Sequence, residues 1–223
     1  MKPGLPPSPG ELAHRALLDS WPTGTRIHRA HPHLFGSAQC DVRPNADSRF
    51  STISFSGSVI PVLYGGENDQ TAASETIFHS VDTPTSSALP RKVPLMRYVS
   101  WQWSEVVTVR ELHLIRLDDD GLEALNTSRA DLIEGGRPTY TTTRAWAEAL
   151  ADAVPASDGL WWMSRQDPGH RAVMLFGEVA GREGGIANGD LDADSPALPF
   201  ALPQGLNRLN EIGDLLDITI DRP

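Results

Sequence analysis

The chain has 223 residues, is 39% hydrophobic with six Trp, and carries a formal net charge of −10, which suits one sizeable folded domain and disfavours binding to nucleic acid or anionic lipid over most of its surface. Any anionic ligand must therefore be held by local arginines. Cys40 is the only cysteine, which rules out an internal disulfide and fits a reducing compartment; with no stretch near the ~20 apolar residues of a membrane helix and Pro and Gly where a signal peptide needs an apolar run, the expected location is the cytoplasm, with no membrane or direct nucleic-acid partner.

Residues 1–20 read as a Pro/Gly-rich arm and a short amphipathic helix, Glu11 to Ser20, ended by Trp21-Pro22. Residues 21–223 read as one domain. Thr25 to Ala30 and Arg49 to Phe55 have strand character. Val59 to Tyr64 is apolar and β-branched, and Pro61 suggests an edge or a bulge. Gly65-Gly66 breaks that strand, and Asp69 is placed to cap a helix from about Gln70 to Val81. A Pro/Ser/Thr loop over 82–94 precedes a long strand, Val106 to Leu117, with a possible bulge near Arg110. Helices are expected around Leu122 and from Thr143 to Ala153. Gly159 to Ser164 and Ala172 to Val179 read as core strands joined by a turn at Asp167-Pro168-Gly169. Residues 181–199 read as a surface loop, Leu206, Leu209, Ile212 and Leu216 as one face of a last helix, and Asp217 to Ile220 as a closing strand. The irregular mixture predicts an α+β fold with a bent, mainly antiparallel sheet and flanking helices.

Three segments carry the candidate chemistry. Thr25-Arg26-Ile27-His28-Arg29-Ala30 puts Arg29 in an early strand. Ser48-Arg49-Phe50-Ser51 is followed by Val62-Leu63-Tyr64-Gly65-Gly66 and then by Ala72-Ala73-Ser74-Glu75-Thr76. Asp158-Gly159-Leu160-Trp161-Trp162-Met163-Ser164 is a strand ending in serine, with one Trp ring expected in the core and the other facing a pocket. Read singly, each has an ordinary structural role: arginines in surface ion pairs, a core tyrosine, a turn serine. In this order and spacing, over about Thr25 to Val179, they resemble the RES-domain toxins. Ser51-Thr52 and Gly65-Gly66 stand where many members have other residues.

The resemblance implies a fold related to ADP-ribosyltransferase toxins. It implies NAD as substrate, with no cofactor, cleavage of the nicotinamide–ribose bond by hydrolysis or phosphorolysis, and neutralisation by a helix-turn-helix antitoxin. Glu75, Arg29 and Ser164 are then the catalytic residues, and Arg29, Arg49, Tyr64 and Ser164 bind NAD. The residue types suit that reaction. Guanidinium forks match phosphate oxygens. Nicotinamide leaves neutral, so no strong acid is required, and a fixed carboxylate can stabilise the oxocarbenium character that develops at the ribose. Tyr64 can brace a ring, and Ser164 can bond a ribose hydroxyl or the nicotinamide amide. Protein ADP-ribosylation and a non-catalytic nucleotide-binding module are the alternatives. His28, His31 and His33 form a candidate metal cluster, with a metal-dependent hydrolase as a third reading, but in a strand His31 and His33 share a face that His28 does not, so a polar loop is the favoured reading. Asp190-x-Asp192-x-Asp194 lacks the Gly and Glu of a calcium loop, and the glycines of 181–189 lack phosphate-loop spacing; no metal is expected.

Overall fold

The computed structural model describes residues 4–43, 48–81 and 91–221. Helix α1 (Pro9–Ala13) opens where the Ser8 N–H and hydroxyl both donate to Glu11. It stops earlier than its periodicity predicts, because Leu18–Trp21 leaves as strand β1, whose ladder partner overrides the local helical pattern. The arm is not loose: Gly4 O accepts from Trp146 Nε1 at 2.9 Å, and Leu12 is wholly buried in the cluster that also holds Trp146.

Strand β2 (Arg26–Pro32) follows. The expected strand from Arg49 to Phe55 is replaced by bends and the short pair β3 (Ser54–Phe55) and β4 (Ser58–Val59). Strand β5 (Val62–Gly66) begins after Pro61, so the proline restricts its start without forcing it to an edge; β5 lies between two other strands. Gly65-Gly66 belongs to the strand and does not break it. A Cβ on Gly65 would sit 2.3 Å from Ile27 Cγ2 and 2.9 Å from His28 O, so glycine is what lets β5 and β2 approach. Helix α2 (Asp69–Thr76) is capped by Asn68, not Asp69: the Asn68 side chain accepts from Thr71 N at 2.7 Å. It ends well before Val81.

The predicted 82–94 loop contains β6 (Lys92–Pro94), and 82–90 lies outside the described residues. The predicted long strand is two, β7 (Trp101–Thr108) and β8 (Leu112–Arg116), parted by a bend where a bulge was expected. Helices α3 (Asp119–Ala124), α4 (Arg129–Leu132) and α5 (Tyr140–Ala153) precede the core strands β9 (Gly159–Met163) and β10 (Arg171–Phe176). The predicted 181–199 loop supplies β11 (Leu191–Ala193) and β12 (Leu198–Pro199), both paired to β7. Helix α6 (Pro203–Leu215) buries Leu209 and Ile212, and β13 (Thr219–Asp221) pairs in parallel with β6 in a separate small sheet, not with the main one.

The main sheet runs β1-β8-β9-β10-β5-β2-β7-β11, antiparallel except between β8 and β9. Strands β7 and β8 sit far apart along that order, yet only 109–111 joins them; residues 22–25 likewise join β1 to β2. Connections this short force the sheet to curl strongly. Thr108 fastens the corner, its hydroxyl donating to Pro22 O at 2.8 Å and accepting from Thr25 N at 3.0 Å. The fold is the expected α+β type with a curled, mainly antiparallel sheet. One cluster packs α1 and α5 against it through Leu12, Trp146, Leu150 and Trp162. Another, with Phe78, Trp103 and Leu209, seats α2 and α6.

Candidate active site

Helix α2 and strand β9 bring Glu75 and Ser164 together from positions 89 residues apart. Ser164 lies just past the end of β9, is wholly buried, and donates its hydroxyl proton to Glu75 Oε1 at 2.7 Å. The turn after β9 fixes it: Ser164 N donates to His170 O, and Asp167 N donates to Ser164 Oγ at 3.3 Å. Arg165 N gives Oε1 a second donor at 3.3 Å. Oε2 of this half-buried carboxylate has no partner among the described residues. The Ser164 hydroxyl proton is given to Glu75 in this structure.

Tyr64, at the middle of β5, forms a closed hydroxyl triangle with Ser48 and Ser51: each serine Oγ is 2.9 Å from the phenol oxygen, and the two are 2.7 Å apart. Burial raises the phenol pKa while the serine hydroxyls work against that rise. Its ring meets Trp162 edge-on at 6.4 Å. Neither of the Trp161-Trp162 rings faces the pocket: both are buried, Trp162 beneath Phe50 and Tyr64, and Trp161 in another cluster, with the Arg171 guanidinium 5.5 Å from its ring.

The two arginines are placed differently from the expected phosphate forks. Arg29 is buried, and its guanidinium donates to the carbonyls of Tyr64, Gly36, Ser37 and Gln39, pinning the 36–39 loop. Burial pulls its pKa down to about 10, with Cys40 and Asp41 opposing, so it remains charged at neutral pH. Arg49 is buried too. It donates to Gly135 O at 2.7 Å and lies 5.9 Å from the Tyr140 ring centre. Burial lowers its pKa, and the charge of Glu75 is the main opposing influence. Arg29 supplies positive charge from the cavity wall; Arg49 does not line the cavity but places its charge near Glu75, and solvent screens both weakly.

Arg29, Tyr64 and Glu75 line a cavity of about 510 Å³, the size of a small-molecule site. Several of its other residues were not picked out as site residues in the sequence: Ser48 and Ser51 of the hydroxyl triangle, Arg43, and the aromatic group Phe35, Tyr98 and Trp101. The spacing Ser48-x-x-Ser51 beside Arg49 was the one local hint. His79 also lines it, its Nδ1 donating to Thr76 O at 2.7 Å, its ring stacked on Tyr140, and its buried Nε2 without a hydrogen bond. Burial lowers the His79 pKa, so the imidazole is neutral at neutral pH.

The three early histidines do not converge. His31 bonds Ser104 at 2.8 Å, whereas His28 reaches Asp69 at 2.8 Å and Glu105 at 3.8 Å. Ligand atoms of His28, Asp69 and Glu105 lie within 4.8 Å of one another, but Arg208 already pairs with both carboxylates and supplies the cation there. Asp158, which precedes β9, is structural. It is buried, holds Arg110 through two bonds of 2.8 and 2.9 Å, and accepts from His113 N and Gly185 N. Burial alone would raise its pKa, but Arg110 and the backbone donors outweigh it and hold the carboxyl below the ordinary aspartate range.

The family model of the RES domain matches residues 23–196, a span that includes Arg29, Arg49, Tyr64, Glu75 and Ser164. No curated protein matches the chain at a significant level.

Proposed function

The chain belongs to the RES-domain family, and from that premise we propose that it degrades NAD by cleaving the nicotinamide–ribose bond. RES domains are associated with NAD-related toxins of toxin–antitoxin systems, which supports the substrate class. The observation that carries the reading is Glu75 on the cavity wall: a carboxylate with one oxygen fixed by two donors, Ser164 Oγ and Arg165 N, and the other without a partner among the described residues.

In this reading the free Glu75 oxygen faces the ribose carbon. As the C–N bond breaks, its electron pair leaves with neutral nicotinamide, and the carboxylate stabilises the positive charge growing on the ribose. Tyr64, held by Ser48 and Ser51, braces the reacting nucleoside. The buried charges of Arg29 and Arg49 favour the pyrophosphate by field, since the Arg29 nitrogens and Arg49 Nη1 serve backbone carbonyls in this arrangement. Water or phosphate completes the reaction at the ribose carbon. An unrestrained enzyme of this kind depletes its own cell, so a cognate inhibitor belongs to the proposal. The net charge of −10 leaves DNA contact to that partner's helix-turn-helix part.

The test is mass spectrometry of NAD incubated with the protein, with and without phosphate. Free nicotinamide is expected, together with ADP-ribose in one case and its phosphorylated form in the other. Glu75→Gln keeps the size and removes the charge, so turnover should fall about 100-fold or more with little change in Tm. Equal turnover in wild type and Glu75→Gln would overturn the assignment.

A further inference from the structure

The cavity wall has a second chemical character. Phe35, Tyr98 and Trp101 line it, Tyr98 and Trp101 meeting edge to face at 5.0 Å. Their places are set by backbone and side-chain bonds: Trp101 N to Tyr98 O at 2.9 Å, the Tyr98 hydroxyl to Ile77 O at 3.3 Å, and Gln102 Nε2 to Phe35 O at 3.3 Å. Tyr98 and Trp101 remain partly exposed, while Phe35 is buried. Trp101 pairs with Pro32 in the β2–β7 ladder, three residues along β2 from Arg29, or about 10 Å at strand rise. Arg43 stands beside this wall, its guanidinium 5.3 Å over the Phe35 ring. Its Nε and Nη2 hold Asp41, and Nη1 has no hydrogen bond among the described residues.

We propose that this wall is a nucleotide subsite: an adenine ring stacks on the face of Trp101 and meets the perpendicular Tyr98 ring with its edge, and the adjoining phosphate accepts from the free N–H of Arg43. The assignment rests on the NAD reading above, because with the nicotinamide riboside at Glu75 the remaining half of the dinucleotide is its adenylate. Aromatic faces hold bases by stacking, and each stacked base typically contributes one to two powers of ten in affinity. A guanidinium on the cavity wall with an unused donor suits a phosphate better than the buried Arg29, whose nitrogens serve carbonyls, or Arg49, which does not line the cavity. The half-exposed Arg43 side chain can turn toward a ligand without leaving Asp41.

The experiment is calorimetry on the Glu75→Gln protein, which holds ligands without turning them over, with adenosine monophosphate (AMP) and nicotinamide mononucleotide (NMN) as separate probes. Trp101→Ala should weaken AMP about tenfold or more and leave NMN within about twofold. Trp101→Phe, which keeps a ring, should restore most of the loss. Tyr98→Leu, on a half-exposed turn, should reproduce the selective loss in case Trp101→Ala disturbs folding. Arg43→Ala should remove the advantage of AMP over adenosine. Absence of AMP binding to the Glu75→Gln protein, or equal losses of AMP and NMN in both ring variants, overturns the subsite; loss of NMN alone assigns the wall to nicotinamide and overturns it equally. The reaction is judged separately, by nicotinamide release from the wild type, so AMP binding without nicotinamide release leaves the subsite standing and removes the reaction.

Discussion

Removing the Ser164 hydroxyl isolates what it does for Glu75. Ser164→Ala deletes one donor to a carboxylate and leaves Arg165 N as the other. Hydrogen bonds to charged groups are worth about 1.5–3 kcal/mol, so kcat for nicotinamide release should fall roughly 10- to 100-fold, while KM for NAD stays near the wild-type value because the buried hydroxyl acts through Glu75. A raised KM with unchanged kcat would make Ser164 a substrate ligand instead. The family was legible in the sequence from the order and spacing of Arg29, Arg49, Tyr64, Glu75 and Ser164; of these, Arg29, Tyr64 and Glu75 line the cavity, and Ser164 reaches it through its bond to Glu75. What each arginine bonds was not legible: the carbonyls that Arg29 meets belong to the 36–39 loop, whose path depends on tertiary closure. Phe35, Tyr98 and Trp101 escaped notice because aromatic residues in and around strands are ordinary core material, and only the folded sheet gathers them on one wall.

At the scale of elements, Asp158 and Arg110 tie the start of β9 to the bend before β8, and Asp190 closes the same knot from the other side of Arg110. Removing one partner of a fully buried pair costs about 3–5 kcal/mol. Arg110 is 37% exposed, so Asp158→Asn should cost less, about 2–3 kcal/mol after screening, a Tm fall of roughly 4–12 °C. The Asp158 carboxyl has a folded pKa below its ordinary value. Its contribution is therefore complete above the unfolded aspartate pKa near 3.9 and lost as pH falls through the lower folded value. Melting curves of wild type and Asp158→Asn should diverge at neutral pH and approach each other below about pH 4. The core strands β9 and β10 and the helices α5 and α6 were readable from periodicity. The stretch 106–117 reads as one strand with a bulge, because the shift in its alternation near Arg110 suits a bulge as well as a strand break, and nothing local reveals that β7 and β8 pair with different neighbours. Arg49 to Phe55 misled in the same way: its apolar Phe50 and Ile53 are buried, but in a bent segment under α5 without a full ladder partner.

For the whole molecule, the charge of −10 disfavours DNA and anionic lipid and so suits the proposed action on a small metabolite. Induction of the gene alone should arrest growth with a fall in cellular NAD, and co-induction of the adjacent reading frame should restore both. Arrest at constant NAD would point to modified protein as the product; soluble, folded protein with normal growth and normal NAD would remove the toxin reading. The curled sheet also sets a clock. Its strands pair across long stretches of chain, β2 with β7 and β5 with β10, and Ser164 meets Glu75 only after 89 further residues have been made. At a synthesis rate of about 5–20 residues per second, the carboxylate waits roughly 4–18 s on the ribosome before the strand that orients it exists. On the proposed reading, the nascent chain lacks its oriented carboxylate for that interval, and a cognate inhibitor translated alongside would have those seconds to fold first.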